Sequence, residues 1–332
     1  CRTSSASGER FHEQRHLVAL ALHDPLHAHA LHVAVVHVVL GEPDLGHIVE
    51  NRVTQLALWE RLEQAPEVSL ICPGTCADLS LGAEAAILTL ADGSRLGARL
   101  LVAADGRDSW VRQTVGIATS GWDYDQQAIV ANVTPSDWHG ETAWQRFLPT
   151  GPLAFLPLRD GRCSIVWSVQ QDRAPTLMAL PELAFARELE DAFERRLGDI
   201  LAVGPRASVP LRLQHADEYV RLRLALIGDA AHAVHPLAGQ GVNLGFLDVA
   251  ELAQALSQAL ARGRDPGGLW ALRRYERARR GDNLAMLAAM DGFKRLFSND
   301  SEYIYFITAL RFGTHGTLYR VPAIGGEVRM VA

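Results

Sequence analysis

The stretch GDAAHAVHPLAGQGVNLG, residues 228–245, constrains the fold more than any other part of the chain. It follows the apolar run RLRLALI and precedes a long apolar helix pattern, so it predicts a tight strand-to-helix turn. Glycines at such a turn let a ligand approach the unpaired N–H groups that begin a helix. Those groups together carry about half a positive charge, which favours an anion or an electron-rich ring edge. We therefore expect a ligand at this turn.

Composition is typical of a globular protein and excludes some partner classes. The chain has 332 residues, 48% hydrophobic and 21% charged, which is enough for two lobes and a sizeable core. A net charge of −6 gives no indication of a nucleic-acid partner. No uninterrupted apolar run reaches about 18 residues, so the sequence predicts no membrane span. The cysteines (Cys1, Cys72, Cys76 and Cys163) lack a second pair for zinc and fit reduced thiols in the cytoplasm.

The beginning of the chain is rich in histidine, with seven of the thirteen between His12 and His37. A metal-binding cluster is one interpretation. The other is a segment without selected function, arising from a displaced reading frame or a mis-set start. The irregular spacing, without interleaved acidic or thiol ligands, favours the second interpretation, and we assign no metal site.

Hydrophobic periodicity predicts how the chain is organised. Helices are expected over 50–64, 181–199, 241–262 and 269–297, and Asp92-Gly93 predicts a β-hairpin within 85–106. Four short strand patterns between 126 and 169, with no long helix among them, predict an antiparallel sheet. The expected division is an atypical segment 1–40, a cofactor-binding domain 41–118 plus 204–300, an inserted sheet domain 119–203 and a tail 301–332.

Individual residues of the turn have chemical roles that follow from their type. Asp229 comes at the carboxyl end of a strand, where a carboxylate can accept hydrogen bonds from sugar hydroxyls. Pro236 fixes the backbone before the glycines at 239 and 241. His232 and His235 are interpreted as packed or loop-orienting histidines rather than proton shuttles.

Two motifs resemble those of the class A FAD-dependent aromatic monooxygenases. The first is Gly228-Asp229-Ala230-Ala231-His232 followed by Pro236, and the second is Asp105-Gly106 with Ser109 and Arg112. The continuation PLAGQGVNLG resembles the ubiquinone-biosynthesis hydroxylase branch, and the resemblance runs from about residue 40 to about residue 300. It implies an α/β fold of the p-hydroxybenzoate hydroxylase type, with an inserted, mainly antiparallel sheet domain that binds substrate.

The resemblance also implies which residues contact FAD. Asp229 would bond ribityl or ribose hydroxyls, Pro236 would line the flavin ring, and Asp105 would lie near the pyrophosphate and the route of NAD(P)H. The amides around Ala238–Gly241 would face the pyrimidine edge, with Asn243 close by, and Arg52 and Gln55 would lie where the family touches the flavin. The full implied set is Gly228, Asp229, Pro236, Ala238, Gly239, Gln240, Gly241, Asn243, Asp105, Gly106, Gln55 and Arg52. No catalytic base is singled out.

The motif Gly-x-Gly-x-x-Gly, which begins this family's fold and holds the FAD pyrophosphate, does not occur in the chain. The first βαβ unit is therefore expected to be absent, with exposed apolar faces beside the gap and weak FAD binding.

Two functions stay open. One is hydroxylation of a prenylated phenol or quinol through a flavin hydroperoxide, with a peripheral inner-membrane contact or a ubiquinone-biosynthesis complex as further expectations. The other is an inactive, truncated or frame-displaced remnant. A flavin halogenase is disfavoured because its Trp-x-Trp-x-Ile-Pro string is absent.

Overall fold

The computed structural model describes residues 47–233 and 240–297, together with the backbone of five further strands, and side chains for 49–233 and 241–286. The helices are α1 (Asn51–Glu63), α2 (Trp110–Thr114), α3 (Ala174–Ala179), α4 (Glu182–Ala192), α5 (Gln240–Ala261) and α6 (Leu269–Phe297). The strands are β1 (Leu17–Leu20), β2 (His32–Val35), β3 (His47–Glu50), β4 (Val68–Ile71), β5 (Cys76–Leu81), β6 (Ala86–Leu90), β7 (Arg95–Ala98), β8 (Leu101–Ala103), β9 (Thr119–Pro135), β10 (Trp144–Leu148), β11 (Gly151–Pro157), β12 (Cys163–Gln170), β13 (Ile200–Val203), β14 (Ala207–Ala216), β15 (Val220–Arg221), β16 (Leu224–Leu226), β17 (His232–Ala233), β18 (Tyr303–Thr308), β19 (Thr317–Pro322) and β20 (Arg329–Val331).

A seven-stranded antiparallel sheet is the largest element of the fold. Its order is β10–β11–β12–β9–β14–β17, and β13 also pairs with β9. Alternate residues of β9, such as Ile129 and Val133, point to a core that α3 and α4 cover with Leu177, Phe185 and Leu189. Each such side chain contributes about 1.5–3 kcal/mol when fully buried, so this face holds the helices to the sheet. The predicted antiparallel sheet is confirmed.

A second core surrounds a short parallel pair. Strand β16 pairs in parallel with β8 and antiparallel with β15, and α5 and α6 pack over it. The residues of β16 are completely buried, and the hydroxyl of Tyr275 on α6 donates to the carbonyl of Leu226 over 2.7 Å. Because β8 and β16 pair in register, their carboxyl ends lie side by side. The motifs that begin at Asp105 and at Gly228 follow directly from these two ends.

Most predicted elements between 50 and 297 are confirmed, with shifts of a few residues. The hairpin β6–β7 turns at Gly93, whose φ of +83° a glycine adopts readily. The helix expected over 181–199 is too long, because α4 ends at Ala192 and Glu194 and Arg195 have φ of +52° and +51°. Strand β14 lies beyond the expected boundary at 203, yet it pairs with β9 along its length. The domain boundaries themselves stay a prediction.

Several apolar side chains near the expected gap are exposed. Helix α1 has no buried residue, and Val53, Leu56 and Leu58 are each more than half exposed. Among the described strands, β8 pairs only with β16, and Val102 on it is 39% exposed. The expectation of exposed apolar faces beside a gap stays a prediction, because side chains elsewhere, such as Trp138 and Leu183, are exposed at least as much. Within the described part of the chain, no helix is both long and apolar enough to cross a membrane.

Candidate functional site

The parallel pair of β8 and β16 brings the two sequence motifs side by side. The amide of Ile227 donates to the carbonyl of Ala103 over 3.0 Å, which extends the ladder to the carboxyl ends of both strands. Asp105 follows β8 and Gly228 follows β16 almost at once. Ligands of open α/β folds bind at this edge, so the juxtaposition fits a shared site.

Asp105 organises its own turn. One carboxylate oxygen accepts from the Ser109 hydroxyl over 2.6 Å, and the other accepts from the amide of Val111 over 3.0 Å. The Ser109 hydroxyl oxygen in turn accepts from the amide of Arg112 over 3.0 Å, capping α2. Asp105 and Ser109 thus each accept from one of the first amides of α2, and Gly106, with φ of +80°, lets the chain turn between the strand and that helix.

Arg112 joins the two motifs directly. Its guanidinium is buried and donates to the carbonyl of Ala230 over 2.8 Å and to that of Arg107 over 2.7 Å. Burial lowers the pKa of Arg112, while the charges of Asp105 and Asp108 oppose that shift. A buried cation that donates to two carbonyls fixes both turns relative to each other. The Asp-Gly-x-x-Ser-x-x-Arg spacing thus has a clear structural role.

Asp229 is the acidic residue of the turn that follows β16, and it is exposed. Desolvation by neighbouring protein atoms raises the pKa of its carboxyl, and the charges of His232 and Arg107 partly offset that shift. Gly228 precedes it with φ of +57°. This left-handed conformation favours glycine and directs the turn that carries Asp229.

A buried carboxylate supports this turn from behind. Asp248 on α5 is fully buried and accepts four hydrogen bonds, from the Gly228 amide, His232 Nε2, Arg279 Nε and Asn283 Nδ2, over 2.9, 2.6, 2.8 and 3.3 Å. Burial alone would raise the pKa of Asp248, but these donors hold it below its ordinary value. The carboxylate is therefore ionised, and it must accept the proton that His232 carries on Nε2. This geometry supports the interpretation of His232 as a packed histidine.

The hydrogen bonds continue from Asn283 to the antiparallel sheet. Asn283 Nδ2 donates to the hydroxyl of Tyr219 over 3.2 Å, and that hydroxyl lies 3.0 Å from His215 Nε2. The Tyr219 hydroxyl therefore links Asn283 on α6 to His215 on β14. Burial lowers the pKa of His215 to about 4, with Arg280 and His232 adding to the effect, so the imidazole is neutral near pH 7. Strand register also pairs His215 with His232.

The other residues predicted to contact FAD lie partly at the start of α5, partly on α1 and partly outside the described residues. Gly241 and Asn243 lie half-buried in the first turn of α5, which begins at Gln240. Arg52 and Gln55 are exposed on α1, and no described contact links them to the turn at Gly228. Pro236, Ala238 and Gly239, like His235, lie outside the described residues. The structure thus brings Asp105, Gly106, Gly228 and Asp229 together.

Asp248, Arg279, Asn283 and Tyr219 are site-supporting residues that sequence reasoning missed. A signal was present, since Leu244, Asp248, Leu252, Ala255 and Ala259 all occupy the buried stripe of α5. A carboxylate at helical spacing among apolar residues predicts a buried charge, and such a charge requires donors.

Two strand-end turns are cross-linked by a buried arginine, with a long helix behind them, at the edge where α/β folds bind cofactors. A profile described as FAD binding domain matches residues 80–288. The chain belongs to this family and, by its similarity to a ubiquinone hydroxylase covered to more than two thirds, to the ubiquinone hydroxylase branch of it. The predicted family and α/β fold class are confirmed, and FAD is the cofactor of the family.

Curated relatives are similar over most of the chain. Ubiquinone hydroxylase UbiL of Rhodospirillum rubrum is 46% identical over 256 residues, which cover 77% of this chain and 60% of the relative. Human ubiquinone biosynthesis monooxygenase COQ6 is 40% identical, covering 78% and 64%. The 3-demethoxyubiquinol 3-hydroxylase of Escherichia coli is 40% identical, covering 81% and 68%. The chain therefore spans less than two thirds of the length of the first two relatives.

Solved structures share the fold at low sequence identity. PqsL of Pseudomonas aeruginosa in complex with 2-aminobenzoylacetate superposes with a TM-score of 0.68 at 23% identity, covering 77% of this chain and 72% of PqsL. The p-nitrophenol 4-monooxygenase PnpA of Pseudomonas putida superposes with a TM-score of 0.64 at 22% identity, covering 76% and 65%. At this identity the similarity concerns the fold alone.

Proposed function

We propose that this chain functions as an FAD-dependent monooxygenase that hydroxylates the aromatic ring of a prenylated phenol or quinol in ubiquinone biosynthesis. The observation that carries the proposal is the Arg112 bridge to Ala230, because it fixes the two family motifs, with Asp105 and Asp229, relative to each other. Relatives with 40–46% identity are named for ubiquinone hydroxylation, and that supports the substrate class.

The described residues fit the sugar and ring side of FAD. In the proposal, Asp229 accepts hydrogen bonds from ribityl or ribose hydroxyls, and the Asp248 carboxylate, which accepts from the Gly228 amide, keeps its turn in place. The amides that begin α5 at Gln240 and Gly241 face the pyrimidine edge, with Asn243 close by. When bound, FAD supplies the oxygen chemistry, and NAD(P)H is the proposed electron donor. The chain's own residues bind, orient and stabilise negative charge at that edge.

Pro236 is proposed to line the ring, the amides of Ala238 and Gly239 to face its pyrimidine edge, and Asp105 and Gly106 to lie near the pyrophosphate. Arg52 and Gln55 are proposed as outer contacts from α1. A peripheral inner-membrane contact and participation in a ubiquinone-biosynthesis complex belong to the same proposal, because a prenylated substrate resides in the bilayer.

A second candidate is a chain that does not hold FAD. It is favoured by the absence of Gly-x-Gly-x-x-Gly from the sequence, and by the exposed Val53, Leu56, Leu58 and Val102. Val53, Leu56 and Leu58 lie on α1, and Val102 lies on β8, which among the described strands pairs only with β16. Weak FAD binding by the purified chain is the corresponding expectation.

Titration of the purified full chain with FAD distinguishes the two candidates. The proposed function requires saturable quenching of flavin fluorescence that weakens at least tenfold in Asp229→Ala, because the hydroxyl acceptor is lost. Asp108→Asn is a suitable control, since that side chain is 83% exposed and takes no part in capping. Saturable binding followed by NAD(P)H-dependent transfer of an O₂-derived oxygen to a prenylated phenol establishes the hydroxylase. No binding at any FAD concentration would leave the second candidate.

A further inference from the structure

One exposed face of α6 has no role in the site at Gly228. Trp270, Arg274 and Arg277 are spaced by four and three residues, so they lie on the same side of the helix, and all three are exposed. The opposite side, with Leu272 and Tyr275, is completely buried. The orientation of α6 is therefore fixed by its core contacts, and the arginines project outward as a consequence.

The turn before α6 extends this face. The guanidinium groups of Arg262 and Arg264 lie 5.4 and 4.2 Å from the centre of the Trp270 ring. These cation–π contacts hold two further positive charges beside the exposed tryptophan. We call the set Arg262, Arg264, Trp270, Arg274 and Arg277 the arginine face.

The positive charge of the arginine face is not neutralised by neighbouring carboxylates. Nearby Asp265 pairs with Arg99 and Arg223, and Glu276 pairs with Arg273. Among the residues whose side chains are described, Arg262, Arg264, Arg274 and Arg277 have no ion pair. Because the whole chain has a net charge of −6, this concentration of four unpaired arginines is a local feature.

Exposed apolar groups accompany the charge. Leu260 is 56% exposed, Leu269 is 43% exposed and Trp270 is 39% exposed, all at the α5–α6 turn. Tryptophan and leucine next to arginine are typical of helices that lie at a membrane surface. There the rings and methyl groups enter the headgroup layer and the guanidinium groups contact phosphates.

We propose that the arginine face docks on an anionic lipid bilayer. The proposal rests on the proposed function, since a prenylated substrate would be taken from the bilayer. A bilayer is favoured over an acidic protein because the face is one convex helix side and a turn. Lipid headgroups adapt to such a surface, whereas a stable protein interface needs a larger, complementary one.

Flotation of the full chain with vesicles tests the proposal without flavin or substrate. We expect co-flotation with vesicles of phosphatidylcholine containing phosphatidylglycerol, none with phosphatidylcholine alone, and loss of binding at high salt. The double variant Arg274→Gln/Arg277→Gln should bind roughly 25-fold more weakly, from about fivefold per arginine. Failure of FAD binding would contradict the proposed function while leaving this measurement unaffected.

The matched control is Arg159→Gln/Arg187→Gln, which removes two exposed arginines elsewhere and changes the net charge equally. The control should float like the parent chain, and equal thermal melting of both variants shows that they fold. Three results would overturn the proposal: no flotation of the parent, equal weakening by the control, or flotation independent of phosphatidylglycerol. Binding to polyglutamate-coated beads without binding to vesicles would assign the face to an acidic protein instead.

Discussion

His232 Nε2 lies 2.6 Å from an oxygen of Asp248, and neither side chain has measurable contact with water. The same carboxylate oxygen accepts from the amide of Gly228, so one atom holds both the first and the fifth residue of the Gly-Asp-Ala-Ala-His turn. The other oxygen accepts from Arg279 and Asn283 on α6. The turn is thereby tied to both long helices, and its geometry depends on one buried charge.

Removing the buried charge of Asp248 should lower the free energy of unfolding. Asp248→Asn keeps the side-chain shape but presents N–H groups to donors, and it leaves buried Arg279 with only the half-exposed Asp282 as an ion-pair partner. We expect a loss of about 3–5 kcal/mol in the free energy of unfolding, measured with urea. Asp191→Asn removes an acidic group that is 76% exposed and should change stability by less than about 0.5 kcal/mol. A loss below about 1 kcal/mol in Asp248→Asn would show that the network contributes little.

The bridge from Arg112 should control the mobility of the turn. Arg112→Lys keeps the charge but not the fork that reaches Ala230 and Arg107 together, so local opening should become easier by about 1–3 kcal/mol. Hydrogen exchange of the amides from 228 to 233 is the measurement. Arg99→Lys alters an arginine that is 63% exposed and should leave those amides unchanged. Equal exchange in both variants would contradict the bridging role.

Local patterns were sufficient to predict much of the fold. Periodicity located α1, α5 and α6, and Asp92-Gly93 located the β6–β7 hairpin, because helices and tight turns depend on residues close in sequence. Pairing of β14 with β9 joins residues about eighty positions apart, and no local pattern encodes it. For that reason the boundary expected at 203 separates β14 from β9, although the two strands belong to one sheet.

For the site too, local patterns could be predicted and long-range contacts could not. Asp105 and Asp229 were predicted as site residues because each lies in a dense local motif with glycine. The roles of Arg112 and Asp248 depend on contacts across 118 and 20 residues, to Ala230 and to Gly228 respectively. The buried stripe position of Asp248 on α5 indicated a charged core residue, but only the fold identifies its donors.

Ionised Asp229 should lower the stability of the fold. Desolvation raises the pKa of its carboxyl in the folded chain, so ionisation opposes folding. Protonated Asp229 contributes its full stability at a pH below the pKa that its carboxyl has in the unfolded chain. That contribution is lost as the pH rises through the higher pKa of the folded chain. Asp229→Asn should therefore melt at a higher temperature than the parent near neutral pH, and the difference should vanish in acid. Asp108→Asn, at an 83% exposed position, serves as control. A lower melting temperature in Asp229→Asn near pH 7 would contradict this account.

His215 should make the fold sensitive to acid. Its pKa is lowered to about 4 by burial first, then by Arg280 and His232, while Asp217 opposes the shift. The unfolded histidine titrates near 6.5, so the stability present above that pH is lost progressively as pH falls from 6.5 towards 4. The full effect is roughly 3 kcal/mol, at about 1.4 kcal/mol per pH unit.

The test compares urea unfolding at about pH 7.5 and about pH 4.5. His215→Gln keeps an acceptor for the Tyr219 hydroxyl but cannot titrate. The parent should lose about 2 kcal/mol more than this variant between the two conditions, because only the parent's unfolded state takes up the extra proton. Equal losses in the parent and in His215→Gln would mean that another group governs the acid response.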